Sequence, residues 1–287
     1  MRTFFDCLPC FVRQTLAAMR SLSDDESLHE RVLRAVLREA AEMDLRQSPP
    51  AMGRRIHAIV RELTGESDPY RSMKDSFNAL ALGLYPELRR CIETSDAPLD
   101  TAIRLAIAGN VIDAAVLTCL DKACVLEAVE GAAAAPFRGD PASFRRAFEE
   151  AHHVLYLCDN AGEIVFDRLL IEQMPFEKVT AAVRGAPTIN DATMVDAEAV
   201  GLTSVVKVVD NGTDIPGTII EECGEAFRQE FERADLVVAK GQGNYETLNE
   251  VAKDIFFALM VKCPIVARDL DCEVGDFVLK RSTVIGG

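Results

Sequence analysis

The chain has no tryptophan and is short of positive charge: 31 Lys and Arg stand against 46 Asp and Glu, a net charge of −15 and a pI near 4.8. Phosphate backbones and anionic membranes are bound by excess Lys and Arg, so this deficit argues against both as partners. The acidity reads as solubility charge on helix faces. No apolar run is long enough to span a bilayer. Residues Met1 to Cys7 lack the apolar core and small-residue cleavage site of a signal peptide, which predicts a cytoplasmic protein. There is no internal repeat and no low-complexity linker. Cysteine is present, but its number is odd, nine in all, and its positions are scattered. In a cytosolic compartment that argues against a disulfide framework. Cys119, Cys124 and Cys158 lie within apolar patterns and read as small core residues.

What is present is enough for a real core: 49% of 287 residues are hydrophobic, which suits one large domain or two modest ones. Residues 1–138 read as an all-helical domain. Phe11 to Met19 has the spacing of a short amphipathic helix, and Ser23-Asp-Asp-Glu26 reads as a capping box opening a longer one. Pro49-Pro50 restarts the chain as a helix that ends near Gly65, and Asp68-Pro69-Tyr70 opens another running to Pro86. From Pro98 to Glu130 the chain is Ala-rich and apolar, a buried helix with a polar notch at Gly109-Asn110 and Asp113. Pro136 and Gly139 mark a boundary.

Over 139–287 the period changes. Short β-rich runs at Val154–Cys158, Val179–Val183, Val205–Val209, Leu236–Ala239 and Ile265–Ala267 alternate with helical stretches. Ile255–Val261 suits a strand or a buried helix equally. Such alternation predicts an α/β domain of Rossmann-like, three-layer α/β/α type with a mainly parallel sheet.

Three loops each follow a predicted strand and so fall on one sheet edge, where open α/β folds bind ligands. They are Asp159-Asn160-Ala161-Gly162-Glu163, Arg184-Gly185 with Asn190-Asp191-Ala192-Thr193, and Lys240-Gly241-Gln242-Gly243-Asn244. The first is a strand–turn–helix junction whose helix N-terminus favours an anion. Together the loops supply hard oxygens (Asp159, Asn160, Asp191), a fixed cation (Lys240) and glycine backbone open to close approach. That set suits a divalent ion with a phosphate beside it. Glu163, Arg184, Asn190, Thr193 and Asn244, with the backbone at Gly162 and Gly241, are the remaining candidates for substrate or phosphate contact. Each motif alone also reads as helix capping or as an ordinary loop.

These blocks, with Cys7-Leu-Pro-Cys10, Asp68-Pro-Tyr70 with Lys74, and Gly109-Asn110-x-x-Asp113, resemble the DUF89 family of metal-dependent damage-control phosphatases, in its stand-alone prokaryotic branch. The resemblance runs in order over nearly the whole chain. It implies a helical domain followed by a Rossmann-like one. It implies a divalent metal (Mg²⁺, Mn²⁺, Co²⁺ or Ni²⁺) held by Asp159, Asn160 and Asp191, with Lys240 on the phosphate. It also implies small sugar phosphates or damaged phosphometabolites as substrates. Glu163 follows Gly162 directly and Lys-Gly-Gln-Gly replaces Lys-Gly-Asp, so substrate preference does not transfer from the eukaryotic branches.

Two mechanisms fit. Either water activated by the metal attacks phosphorus, or Asp159 attacks and forms an aspartyl-phosphate. Haloacid-dehalogenase-type phosphatases carry a second Asp two residues on, where this chain has Ala161, so activated water is the preferred expectation. No histidine lies in the loops, which leaves Asp196 or Glu163 as acid/base candidates; His152 and His153 read as structural. Cys7 and Cys10 make half a zinc site, with Cys263 and Cys272 as distant partners, or a redox pair, or a packed helix start. The competing classes are an S-adenosylmethionine or nucleotide binder (methyltransferase class) and a non-catalytic metal- and phosphometabolite-binding protein. The former wants Gly-x-Gly-x-x-Gly at the first turn, which here holds a carboxylate and an amide.

Overall fold

The computed structural model describes residues 1–111 and 122–282. Five helices open the chain: α1 (Cys7–Leu22), α2 (Glu26–Glu42), α3 (Pro49–Thr64), α4 (Arg71–Glu93) and α5 (Pro98–Ala108). Local chemistry sets their ends. Pro49-Pro50 begins α3, and Gly65 closes it in the left-handed conformation at φ 77°. The cap of α2 is Asp25, whose carboxylate accepts from Ser27 N, and not the expected Ser23. Ser23 Oγ instead accepts from Asp25 N. Pro86 does not end α4. The helix runs on to Glu93 because Leu88 and Ile92 are buried beyond it, which offsets the backbone bond that proline forfeits. The polar notch is a 3₁₀ turn at Gly109–Val111; Asp113 and Cys119 lie outside the described residues.

After α6 (Lys122–Ala133) the chain enters a seven-stranded sheet. Its strands are β1 (Phe137–Gly139), β2 (Val154–Leu157), β3 (Val179–Val183), β4 (Lys207–Asp210), β5 (Leu236–Lys240), β6 (Ile255–Met260) and β7 (Phe277–Arg281). The spatial order is β1-β7-β6-β5-β2-β3-β4, parallel throughout except for the antiparallel β6–β7 pair. Helices α7 (Pro141–Glu150), α8 (Glu163–Ile171), α9 (Met194–Ala199), α10 (Glu225–Arg233), α11 (Gly241–Leu248) and α12 (Pro264–Leu270) follow or separate the strands. Ile265–Ala267, expected as a strand, lies in α12. Pro264 at the first helical position presets a helix there, and β7 supplies the strand instead. The expected boundary near Pro136 and Gly139 is occupied by β1, whose register pairs it with β7.

Both faces of the sheet are covered, so the inner strands are apolar on both sides. Val154, Tyr156 and Cys158 of the β2 run pack with α4, α5 and α8, through Phe77, Ile103, Val165 and Phe166. Leu155 and Leu157 point the other way, toward Phe227, Leu248 and Val266. Helices α1–α3 share a separate cluster around Phe11, Met19, Val36 and Ile56. No described helix is long and apolar enough to cross a membrane.

The chain runs from β2 outward to β3 and β4, then returns to place β5 on the other side of β2. The strand order therefore reverses between β2 and β5, and at such a point the loops leaving the two carboxyl ends diverge and open a crevice.

Candidate active site

Asp159 and Asn160 leave the end of β2, and Gly162, at φ 76°, turns the chain into α8. The loop after β3 is zipped to this one by backbone bonds. Ala161 N donates to Asn190 O (2.8 Å), Ala192 N donates to Asp159 O (2.8 Å), and Asn160 and Asp191 form an isolated bridge. The three expected hard-oxygen residues are thereby brought together. Gly241, at φ 78°, starts α11 beside them. A Cβ at that position would overlap the Asp159 carboxylate, so the close approach requires glycine.

Beneath this group lies a buried ionic network. Lys240 Nζ donates to Asp167 Oδ1 (2.6 Å), Glu163 Oε1 (2.7 Å) and Ala106 O (2.8 Å), which consumes its three donors. Burial disfavours its charge, but Asp167 and Glu163 outweigh that and raise its pKa. Lys240 is thus not presented to a ligand as the sequence led one to expect; it neutralises two carboxylates in the floor. Glu163 Oε2 also accepts from Asn110 (2.6 Å) and Asn160 (2.9 Å). Asp167 accepts from Tyr156 Oη at 2.8 Å.

Asn160 Nδ2 donates to Asp159 Oδ2 and Glu163 Oε2, both at 2.9 Å, which leaves Oδ1 as the amide's remaining lone-pair donor. Arg184 Nε donates to Asp191 Oδ2 (2.7 Å), and its NH2 lies 3.7 Å from Asp159 Oδ1. Asn244 orients this guanidinium: its Oδ1 accepts from Arg184 and from Thr218 Oγ1, while its Nδ2 donates to Lys240 O at 2.7 Å.

Burial raises the pKa of Asp159 to about 8; Glu163 and Asp191 add to the rise, and Lys262 and Arg184 oppose it. Burial likewise raises Asp191 against the pull of Arg184. Four buried carboxylates (Asp159, Glu163, Asp167, Asp191) face two buried cations (Lys240, Arg184). If all are ionised the excess is two negative charges, the charge of one divalent ion. Hard oxygens with uncompensated negative charge fit a hard divalent cation. The donors would be two carboxylates and the Asn160 amide. Among the described residues no three His, Cys, Asp or Glu side chains are arranged to hold a metal.

The acid/base candidates fare differently. Asp196 is fully buried. Against the raising effect of burial, hydrogen bonds from Arg71 (2.6 Å) and the charge of Lys74 (2.9 Å) hold its pKa down to about 2. It also caps α9 reciprocally with Thr193. Asp196 and Thr193 are therefore structural, and the expectation of Asp196 as an acid/base group is corrected. The backbone N–H groups of His152 and His153 donate to Asp235, and the His153 ring Nε2 lies 3.1 Å from Glu230 Oε2.

Cys7 begins α1 and is half-buried; burial pushes its thiol pKa up, with Glu246, Cys263 and Cys10 adding to the rise. Cys10 Sγ accepts from Gln14 Nε2 at 3.4 Å. The four-ligand zinc set is not assembled among the described residues.

Asn78 and Asp167 went unread in the sequence. Asn78, on α4, accepts from Gly162 N (2.7 Å) and donates to Asp196 (2.9 Å). No local pattern marks it. Asp167 had a signal, because it lies four residues beyond Glu163 and so on the same face of α8. Asn110 of the polar notch does reach the site.

A family profile, "Damage-control phosphatase ARMT1-like domain", matches residues 3–278. A damage-control phosphatase of Archaeoglobus fulgidus is 36% identical over 96% of this chain and 97% of its own length. Damage-control phosphatase PH1575 of Pyrococcus horikoshii is 32% identical over 98% of this chain and 99% of its own. The crystal structure of that DUF89 family protein superposes with a TM-score of 0.90 at 30% identity, covering 99% of this chain and all of the other.

Proposed function

The chain belongs to the damage-control phosphatase ARMT1-like domain family and is a phosphatase, and from that premise we propose that it hydrolyses phosphate monoesters of small metabolites with a divalent ion held by Asp159, Asn160 and Asp191. The observation that carries this reading is the meeting of those three residues at the sheet's switch point, where buried carboxylates outnumber buried cations. Mg²⁺, Mn²⁺, Co²⁺ and Ni²⁺ all accept such oxygen donors.

A bound divalent ion would supply Lewis acidity towards water and towards a phosphoryl oxygen. The chain's own residues do the rest. Asn110 and Asn160 hold the Glu163 carboxylate, and Lys240 cancels the charge of Glu163 and Asp167, so the floor stays rigid. Arg184, fixed by Asn244, keeps a guanidinium edge near Asp159 from which N–H groups can meet phosphoryl oxygens as charge develops. The closed backbone turns at Gly162 and Gly241 bring main chain to the same place. Water is the preferred nucleophile, because Ala161 stands where haloacid-dehalogenase-type phosphatases, which attack through Asp, carry their second Asp.

The test is phosphate release from sugar phosphates and p-nitrophenyl phosphate by chelated protein with single metals added back. Metal-dependent turnover that vanishes in Asp159→Ala and Asp191→Ala supports the reading. Full turnover in chelator, or in either variant, would sink it.

A further inference from the structure

The three hard-oxygen residues sit on two loops, Asp159 and Asn160 after β2 and Asp191 after β3. What a metal ion meets there depends on how far apart those loops are held, and hydrogen-bond partners outside the ligand set fix such distances. Backbone bonds between the loops supply one constraint. A second comes from α4, through Arg71, Lys74 and Asn78. Spacings of three and four residues put them on one face of the helix.

That face grips both loops. Arg71 and Lys74 pair with Asp196 at 2.6 and 2.9 Å. Asp196 Oδ2 accepts from Thr193 N (2.8 Å), and Thr193 bridges Arg184, whose Nε donates to Asp191. Asn78, only 3% exposed, reaches the two loops at once. Its Oδ1 accepts from Gly162 N at 2.7 Å, two residues beyond Asn160, and its Nδ2 donates to Asp196 Oδ1 at 2.9 Å. The chemistry fixes which way the amide points: a main-chain N–H only donates, and a carboxylate gripped by two cations only accepts. Gly162, at φ 76°, stands just ahead of α8, and its N–H has Asn78 as acceptor. With Asn78 removed, that donor would be buried unpaired, and the turn carrying Asn160 would shift to satisfy it.

We propose that Asn78 is a positioning residue for the divalent ion: one amide, bonded to the turn after Asn160 and to the cap of the Asp191 loop, sets the spacing of the three ligands. This deepens the function proposed above and rests on it. An amide suits the position because it offers an acceptor and a donor on one short stem. A carboxylate there would keep the bond from Gly162 but set like charges together at Asp196. An alanine would lose both bonds.

The probe is Mn²⁺, titrated calorimetrically into metal-free, full-length protein shown to be folded by circular dichroism. Asn78→Ala is expected to weaken Mn²⁺ binding by about 10–100-fold, as for other lost partners of metal ligands, and Asn78→Asp by less. The Mn²⁺ concentration that half-activates turnover of p-nitrophenyl phosphate should rise in step, with KM for the ester within a few-fold of wild type. The control is Leu88→Ala, which removes buried packing from the same helix about three turns further on. It should cost stability and leave Mn²⁺ affinity at the wild-type value. In the metal-free protein the Gly162 amide should exchange its hydrogen faster in Asn78→Ala while the β2 amides keep their protection. Wild-type Mn²⁺ affinity in Asn78→Ala, or an equal loss in Leu88→Ala, would overturn the proposal even where Asp159→Ala no longer binds the ion. Wild-type Mn²⁺ affinity in Asp159→Ala would instead sink the metal-site reading itself.

Discussion

The carboxylate of Asp159, at the end of β2, rests on the α-carbon of Gly241, at the end of β5, with no room for a side chain between them. The contact joins the two strands between which the sheet order reverses, and it closes the wall of the crevice on which the candidate metal ligands sit.

Gly241→Ala should therefore damage the site twice. An alanine is strained at φ 78°, at a cost of about 1–3 kcal/mol, and its Cβ displaces Asp159. Turnover is expected to fall about 10²-fold, as for displacements near 1 Å at reacting groups. Melting temperature should fall as well; an unchanged rate would show that Asp159 need not hold this position.

Asp159→Asn should stabilise the metal-free protein while abolishing turnover. The substitution removes a buried carboxylate crowded by Glu163 and Asp191. A gain of roughly 1–2 kcal/mol, or roughly 2–6 °C, is expected by thermal melting in chelator. A lower melting temperature would mean that the carboxylates are better compensated than their partners suggest.

Lys240→Met separates a structural ammonium from a ligand-binding one. It leaves Glu163 and Asp167 buried without their cation, a loss of about 3–5 kcal/mol. Denaturant unfolding in the absence of phosphate reads this directly. A ligand-binding lysine would leave that unfolding curve unmoved.

Two buried groups contribute stability that acid removes, each in its own pH window. Burial lowers the pKa of His57 to about 3, with Arg61 contributing, and Tyr70 Oη lies 3.0 Å from its Nδ1. Its folded value lies below the unfolded value of about 6.5, so its contribution is complete above that pH and is lost as pH falls towards 3. Asp196, held down to about 2, contributes above its unfolded value near 4 and is lost as pH falls towards 2. Protonation of Asp159, whose pKa burial raises to about 8, acts in the opposite sense, so the reading is the difference between wild-type and variant melting curves: His57→Gln should remove the loss between about pH 6.5 and about 3 and leave the Asp196 contribution in place.

Much of the layout was legible in the chain because it rests on local chemistry. Short β-rich apolar runs alternating with helical stretches read as buried strands, and β2, β3 and β5 lie where that pattern placed them. The strand–turn–helix at Asp159 to Glu163 was readable for the same reason, as was the gathering of three loops on one edge, since parallel strands point their carboxyl ends together. Helix α12 was misread because three apolar residues carry no period; only Pro264 marked the helix.

Which charges remain free was decided by tertiary structure alone. Lys240 carries the look of a phosphate ligand in sequence, yet a buried cation takes the nearest carboxylate, and Glu163 and Asp167 are brought to it by packing across the chain. Asn78 and Asn110 enter the site from helices more than 45 residues distant in sequence. Periodicity reports how each segment folds against its own neighbours. Ion pairing between segments depends on distances set only once the layers have closed, which is why the chain announced where its chemistry lies but not which side chains are left to perform it.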